Sequence, residues 1–260
     1  MVDKLFEELC ALDEVEALAL GGSRAGALYD EASDYDVYLY CTRPIPEDTR
    51  KHILSKYCRV MEIGNHFWEY EDNCRLNNGV DIDILYRDLD GFAEGIAEVV
   101  ERFQPHNSYT TCMWHNLLTC KVVYDRDGRL TQIKERFSVP YPRQLKENIM
   151  ARGWQLLHTA MPAYDAQLAK AVKRGDLVSV NHRTAGFLET YFDLLFAMNE
   201  LTHPGEKRLI QICRERCKRL PAHFEENLER LFGDLYQAPG RVAEDIAAIL
   251  SELEQVDPWG

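Results

Sequence analysis

The stretch GGSRAGALYDEASDYDVYLY, residues 21–40, decides how the chain is read. Ahead of it, VEALAL (15–20) reads as a strand that ends at Gly21-Gly22. Glycines at a strand end let the backbone come close to a ligand, because no side chain intervenes. Ser23 then offers a hydroxyl and an amide at the start of a short helix expected over 23–29, where an anion is favoured. Arg24 either adds charge there or is an ordinary surface arginine. After a loop, YDVYLYC (35–41) has strand character, and in a strand Asp34 and Asp36 point to one face with Tyr35 on the other. Two carboxylates held that close repel each other unless a divalent cation lies between them. Hard oxygen ligands suit Mg²⁺, which also takes water and substrate phosphates. An isolated D-x-D reads equally well as two exposed aspartates at a strand start, so other segments must decide.

VDIDILY (80–86) is the segment that does so. It alternates apolar and acidic residues, as a strand with one polar face should. Asp83 is flanked by isoleucines and followed by apolar residues, where a carboxylate is costly unless paired or liganded. Asp81 shares its face but lies nearer the strand's start, after Asn77-Asn78-Gly79, and competes for the same role.

Around these segments the front of the chain alternates helix-like and strand-like stretches: helices over 3–12, 46–57 and 90–102, and weaker strands over 59–63 and 67–70. SVPYPR (138–143), with two prolines, is the expected boundary between a domain at 1–140 and one at 141–260. Beyond it every periodic segment is helical: 144–160, 164–174, 177–199, 206–219, 222–231 and 241–253, punctuated by Gly175, Pro204-Gly205, Pro221 and Pro239-Gly240. The expected fold class is an α+β N-terminal domain followed by an all-α helical bundle.

Composition narrows the function. The chain has 260 residues, 46% hydrophobic and 28% charged, with a net charge of −13, most of it from the front half. Such a balance argues against broad nucleic-acid binding and against adhesion to anionic membranes. No basic, apolar leader opens the sequence and no window is apolar enough to span a bilayer, so a cytoplasmic location is expected. Eight scattered cysteines without a C-x-x-C fit reduced thiols better than a zinc site.

Gly22-Ser23, then ten residues, then Asp34-x-Asp36, then a third acid on a neighbouring strand resemble the nucleotidyltransferase superfamily typified by DNA polymerase β and the aminoglycoside nucleotidyltransferases. Residues 21–40, DILYRDLD (83–90) and YFDLLFAMNELTHPGEKR (191–208) are similar to its bacterial branch known as DUF4037. The resemblance implies a mixed sheet flanked by helices as the catalytic domain, and a helical bundle that serves the acceptor. It implies two Mg²⁺ ions held by Asp34, Asp36 and Asp83, with Gly22, Ser23 and Arg24 gripping the phosphates of ATP or another nucleoside triphosphate. The implied reaction is transfer of NMP, foremost AMP from ATP, to a hydroxyl of a small-molecule acceptor, with release of pyrophosphate.

For a general base, Asp81, Glu69 and Glu189 stay open. Lys207 and Arg208 stand at the start of the helix expected from 206, against its dipole, and a triphosphate beside Lys207 would relieve that placement. Tyr191 and Asn199 share a helical face and either line the same cleft or pack in the core; Trp68 or Trp114 could stack on a base. Arg152 and His158 loosely match the spacing of HEPN ribonucleases. The alternatives to small-molecule transfer are a non-catalytic nucleotide-sensing or antitoxin-like module and a protein AMPylating enzyme.

Overall fold

The computed structural model describes residues 2–25, 33–67 and 69–257, without the side chains of Ser23 and Ala25. It forms two compact units, residues 1–98 with 116–139, and residues 99–115 with 140–260. The chain thus crosses between units at 98, 115 and 139, where the sequence suggested one cut near 140.

The first unit carries α1 (Val2–Cys10), β1 (Val15–Leu20), α2 (Gly22–Ala25), β2 (Tyr35–Cys41), α3 (Glu47–Leu54), β3 (Cys58–Asn65), β4 (Glu71–Leu76) and β5 (Asp81–Arg87). The helices α4 (Leu89–Val100) and α5 (Cys112–Thr119) run across the division, and β6 (Lys121–Asp125) and α6 (Arg129–Arg136) complete the unit. Its six-stranded sheet has the order β3-β4-β5-β2-β1-β6. Among the described residues only β2 and β5 pair in parallel, so the sheet is mixed.

Period-two alternation sorts the residues onto two faces. Val37 and Leu39 of β2 and Ile82 and Ile84 of β5 point one way, onto Leu5 and Leu9 of α1 and Ile53 and Leu54 of α3. Each such burial contributes about 2 kcal/mol. The opposite face carries Tyr38 and Tyr40 toward α4, where Phe92 lies 5.4 Å from the Tyr40 ring, and carries the acids at its other end.

Two sequence expectations are corrected here. Of the strand expected over 67–70, the described residues 67, 69 and 70 are bends, and the strand proper is EDNCRL, 71–76. That stretch has too few apolar residues to look like an inner strand, yet Asp72 is fully buried because α3 supplies Arg50 as its partner. The elements α5, β6 and α6 also went unread, since KVVYD is short and half-exposed.

The second unit contains α7 (Arg143–Trp154) running into a π-turn (Gln155–Thr159), α8 (Tyr164–Arg174), α9 (Leu177–Met198), α10 (Leu209–Arg216), α11 (Phe224–Gln237), a 3₁₀ turn (Pro239–Arg241) and α12 (Val242–Glu254). The long α9, capped by Asp176 accepting from the Ser179 amide at 3.0 Å, is the central helix. Phe187, Tyr191, Leu194, Leu195 and Met198 are buried in its core. The helix expected from Glu206 starts only at Leu209, because Arg208 is left-handed with φ 57°. No described helix is long and apolar enough to cross a membrane.

Candidate functional site

The parallel register of β2 and β5 sets Asp36 directly opposite Asp83 on one face of the sheet. One strand further, Asn73 of β4 is opposite Asp83 and donates from Nδ2 to its Oδ1 at 2.7 Å. Asn65 of β3 donates in turn to Asn73 Oδ1 at 2.6 Å, and its own Oδ1 accepts from the Phe67 amide at 2.8 Å. Amides, rather than cations, thus orient the Asp83 carboxylate.

Gly22 belongs to this assembly, though by a route the sequence did not suggest. Its φ is +55°, and a Cβ there would lie 1.9 Å from Asp36 Oδ2. A Cβ on Gly21 would lie 2.4 Å from the Tyr38 hydroxyl. Side chains of β2 therefore take the space the two glycines leave, while the Gly21 amide donates to the Asp36 carbonyl at 2.8 Å. Gly22 begins α2 on top of the Asp36 carboxylate.

Asp34 is exposed, just ahead of β2. Arg24 Nε donates to the carbonyls of Ser33 at 2.7 Å and Asp34 at 3.2 Å, and its guanidinium lies 3.7 Å from the Tyr35 ring centroid. That engagement makes Arg24 a brace for the backbone that carries Asp34. The side chain of Ser23 and residue Trp68 lie outside the described residues.

The competing acids have other engagements. Asp81 is held by Arg75 through two bonds, at 2.6 and 3.1 Å, and that hydrogen bonding lowers its pKa. Glu69 is likewise clamped by Arg87 at 2.7 and 2.9 Å. Glu189 lies on α9 in the helical unit. A fourth carboxylate, missed in the sequence, lies on the face of Asp83. Glu71 of β4 is buried on the Asn73–Asp83 face, and burial, reinforced by Asp83 and Glu69, raises its pKa against the pull of the Asn73 amide. The signal was present: Glu71 and Asn73 repeat at two residues, like Asp81 and Asp83.

In the helical unit, Tyr191 stacks on Phe187 and Phe224 within the core. Asn199 caps the end of α9, donating to the Leu195 and Arg219 carbonyls and accepting from the Lys218 and Arg219 amides. Lys207 is exposed in the turn before α10. Trp114 is buried with its ring 5.5 Å from that of Tyr141, Arg152 holds Asn107, and His158 holds Asp165 at 2.6 Å.

Among the described residues, no group of three or more His, Cys, Asp or Glu side chains is gathered closely enough to cage a metal ion by itself. Mg²⁺ does not require that. It is commonly held by one or two carboxylates plus substrate phosphates and water, and the facing pair Asp36 and Asp83 supplies that donor set.

Residues 109–209 match the model of DUF4037, a domain of unknown function. The DUF4037 match covers α5, β6 and α6 and the helical unit as far as the start of α10, whereas the acid-bearing strands β2, β4 and β5 precede it. Among solved structures, the chain is similar to a nucleotidyltransferase-like protein from Exiguobacterium sibiricum 255-15, with 11% identity, 97% of this chain and 72% of that chain covered, and a TM-score of 0.44. It is also similar to an aminoglycoside 6-adenyltransferase from Bacillus subtilis, with 10% identity, 96% and 90% covered, and a TM-score of 0.27. No curated protein matches.

Proposed function

We propose that the chain is a nucleotidyltransferase that moves AMP from ATP to a hydroxyl of a small-molecule acceptor, releasing pyrophosphate. The observation that carries this reading is the facing of Asp36 and Asp83 on parallel strands, beneath a glycine turn that has room only for the Asp36 carboxylate. Like charges are gathered on one face, and an amide rather than a cation orients Asp83. A cationic or metal-bound ligand is the natural complement to such a face.

Asp36 and Asp83, with Asp34 at the exposed rim, would hold Mg²⁺. When bound, the metal would neutralise triphosphate charge and aid departure of pyrophosphate. Arg24 would fix the backbone at Ser33–Asp34, and the Gly22 and Ser23 amides at the start of α2 would face the phosphates. Glu71 would accept the acceptor's hydroxyl proton. The acceptor oxygen then bonds to the α-phosphorus, while the bond from that phosphorus to the bridging oxygen breaks and pyrophosphate leaves with the electron pair.

Calorimetry with ATP, in Mg²⁺ and in EDTA, tests this on the wild type and on Asp36→Asn and Asp83→Asn. Mg²⁺-dependent binding that either substitution weakens about a hundredfold is expected. Binding indifferent to both metal and substitution would replace transfer with nucleotide sensing, and no binding would overturn the proposal.

A further inference from the structure

One stripe of α9 runs from the helical core at Phe192 out to the exposed Ala185 and Glu189. Ala185, Leu188, Glu189 and Phe192 recur at spacings of three and four and so share a face. Together with Tyr109, Phe232 of α11 and the start of α10, this stripe lines an open cavity of about 470 Å³, inside the size range of small-molecule sites. Everything that lines it belongs to the helical unit.

The lining is mixed in a specific way. Its floor is apolar, with Leu188, Phe192, Leu209 and Phe232. Around the floor stand Glu189, Glu206 and Arg208, and none of the three side chains makes a hydrogen bond or ion pair with the rest of the described chain. Both carboxylates act on the Tyr109 hydroxyl, whose pKa is raised by burial and then by Glu189 and Glu206. Arg208 precedes α10 without a capping side chain. The first amide of α10 to bond backward is that of Ile212, so the amides of 209–211 have no helical partner. The cavity therefore combines two carboxylates, one guanidinium, unpaired helix amides and apolar side chains in one lining.

We propose that this cavity binds a small zwitterion of the amino-acid class. Its ammonium lies between Glu189 and Glu206, its carboxylate meets Arg208 and the free amides of α10, and its apolar side group rests on Leu188, Phe192 and Phe232. A nucleotide is a poor fit, because two carboxylates repel its phosphates. A simple cation leaves Arg208 unmatched. The inference does not depend on the nucleotidyl-transfer reading, and no nucleotide is needed to test it.

The test titrates the full-length chain calorimetrically with each apolar L-amino acid, and with its amide and N-acetyl derivatives, which lack one charge each. At least one free amino acid is expected to bind with a Kd below about 1 mM, and its two derivatives about tenfold or more weaker. Glu189→Gln should weaken the free amino acid about tenfold and leave the N-acetyl derivative unchanged. Arg208→Asn tolerates the left-handed backbone and should weaken the free amino acid but not the amide. All these substitutions are at exposed positions, and circular dichroism would verify that the fold is retained. Absence of binding by every apolar amino acid up to about 10 mM overturns the proposal. So does binding that ignores both substitutions.

Discussion

Glu71 and Asp72 are neighbours in one strand, yet they belong to opposite kinds of electrostatics. On the Asp72 side, Arg50 is fully buried against the carboxylate, Tyr86 donates to Asp72 Oδ2 at 2.7 Å, the Gly64 amide donates to Oδ1 at 2.8 Å, and Tyr70 meets Arg50. On the Glu71 side, Asp83 and Asp36 stand together and Glu71 itself is held toward its protonated form. The same sheet thus closes a buried charge network on one face, while on the other Asp36 faces Asp83 and an amide orients Asp83. A buried charge whose counter-ion lies within the chain is structural, whereas two carboxylates facing each other across parallel strands, beside a third held toward its protonated form, mark a candidate functional site.

That contrast can be broken from either side. Arg50→Met leaves Asp72 buried without its cation and should cost about 3–5 kcal/mol of stability, read by urea denaturation. Adding Asp72→Leu to it should recover much of that loss, and neither change should alter ATP affinity in the folded protein. On the other face, Glu71→Gln should slow pyrophosphate release about a hundredfold with ATP affinity nearly unchanged, while stability stays level or rises. An equal loss of binding and turnover would make Glu71 a packing residue instead. Wild-type turnover should fall as acid protonates Glu71, starting above the usual carboxylate range. Gly22→Ala forces a Cβ against Asp36 Oδ2 and should weaken ATP binding about thirtyfold, measured by calorimetry, without touching the Arg50 network.

The helical unit offers the smallest net effect, because two opposed groups share it. Asp193 accepts from the Thr110 amide and hydroxyl at 3.0 and 2.6 Å, and burial carries its pKa up to about 6. The stability linked to its protonated form is complete below the unfolded pKa near 4 and is lost as pH rises through about 6. His203 is fully buried, its Nδ1 accepting from the Gly205 amide at 3.1 Å, and burial followed by His115 pushes it down to about 4. Its contribution is present above the unfolded pKa near 6.5 and is lost as pH falls toward 4. His115, also lowered by burial, acts in the same sense as His203. Each of the two larger shifts is of order 3 kcal/mol. Wild-type stability should therefore vary little between pH 4 and 6 on their account. Asp193→Asn should expose a steady loss with acid, and urea midpoints across that range would detect it.

What the sequence disclosed followed from period. The alternation in DYDVYLY and VDIDILY placed Asp36 and Asp83 on strands, and spacings of three and four outlined the helices from 144 onward. Period failed where polarity served tertiary partners. EDNCRL was not read as a strand because Asp72 is matched by Arg50, distant in sequence, and because Glu71 and Asn73 face the other acids. Gly22 was read as letting a ligand approach closely, and its missing Cβ also leaves the space that Asp36 Oδ2 takes. Asp81 and Asp83 were indistinguishable by spacing, and only Arg75 on one and Asn73 on the other separate them.

The interleaving of the two units bears on how the polypeptide comes into being. Segment 99–115 emerges before β6 but has its partners in α9 and the loop beyond it, Thr110 donating to Asp193 and Thr111 accepting from the His203 amide. On the ribosome, the sheet can finish as soon as residues 116–139 are made, while that segment must wait for α9 and the loop beyond it. A chain cut at 140 would keep every strand and still strand Thr110 and Thr111 without their acceptor and donor, so the natural seam of this protein is three junctions rather than one.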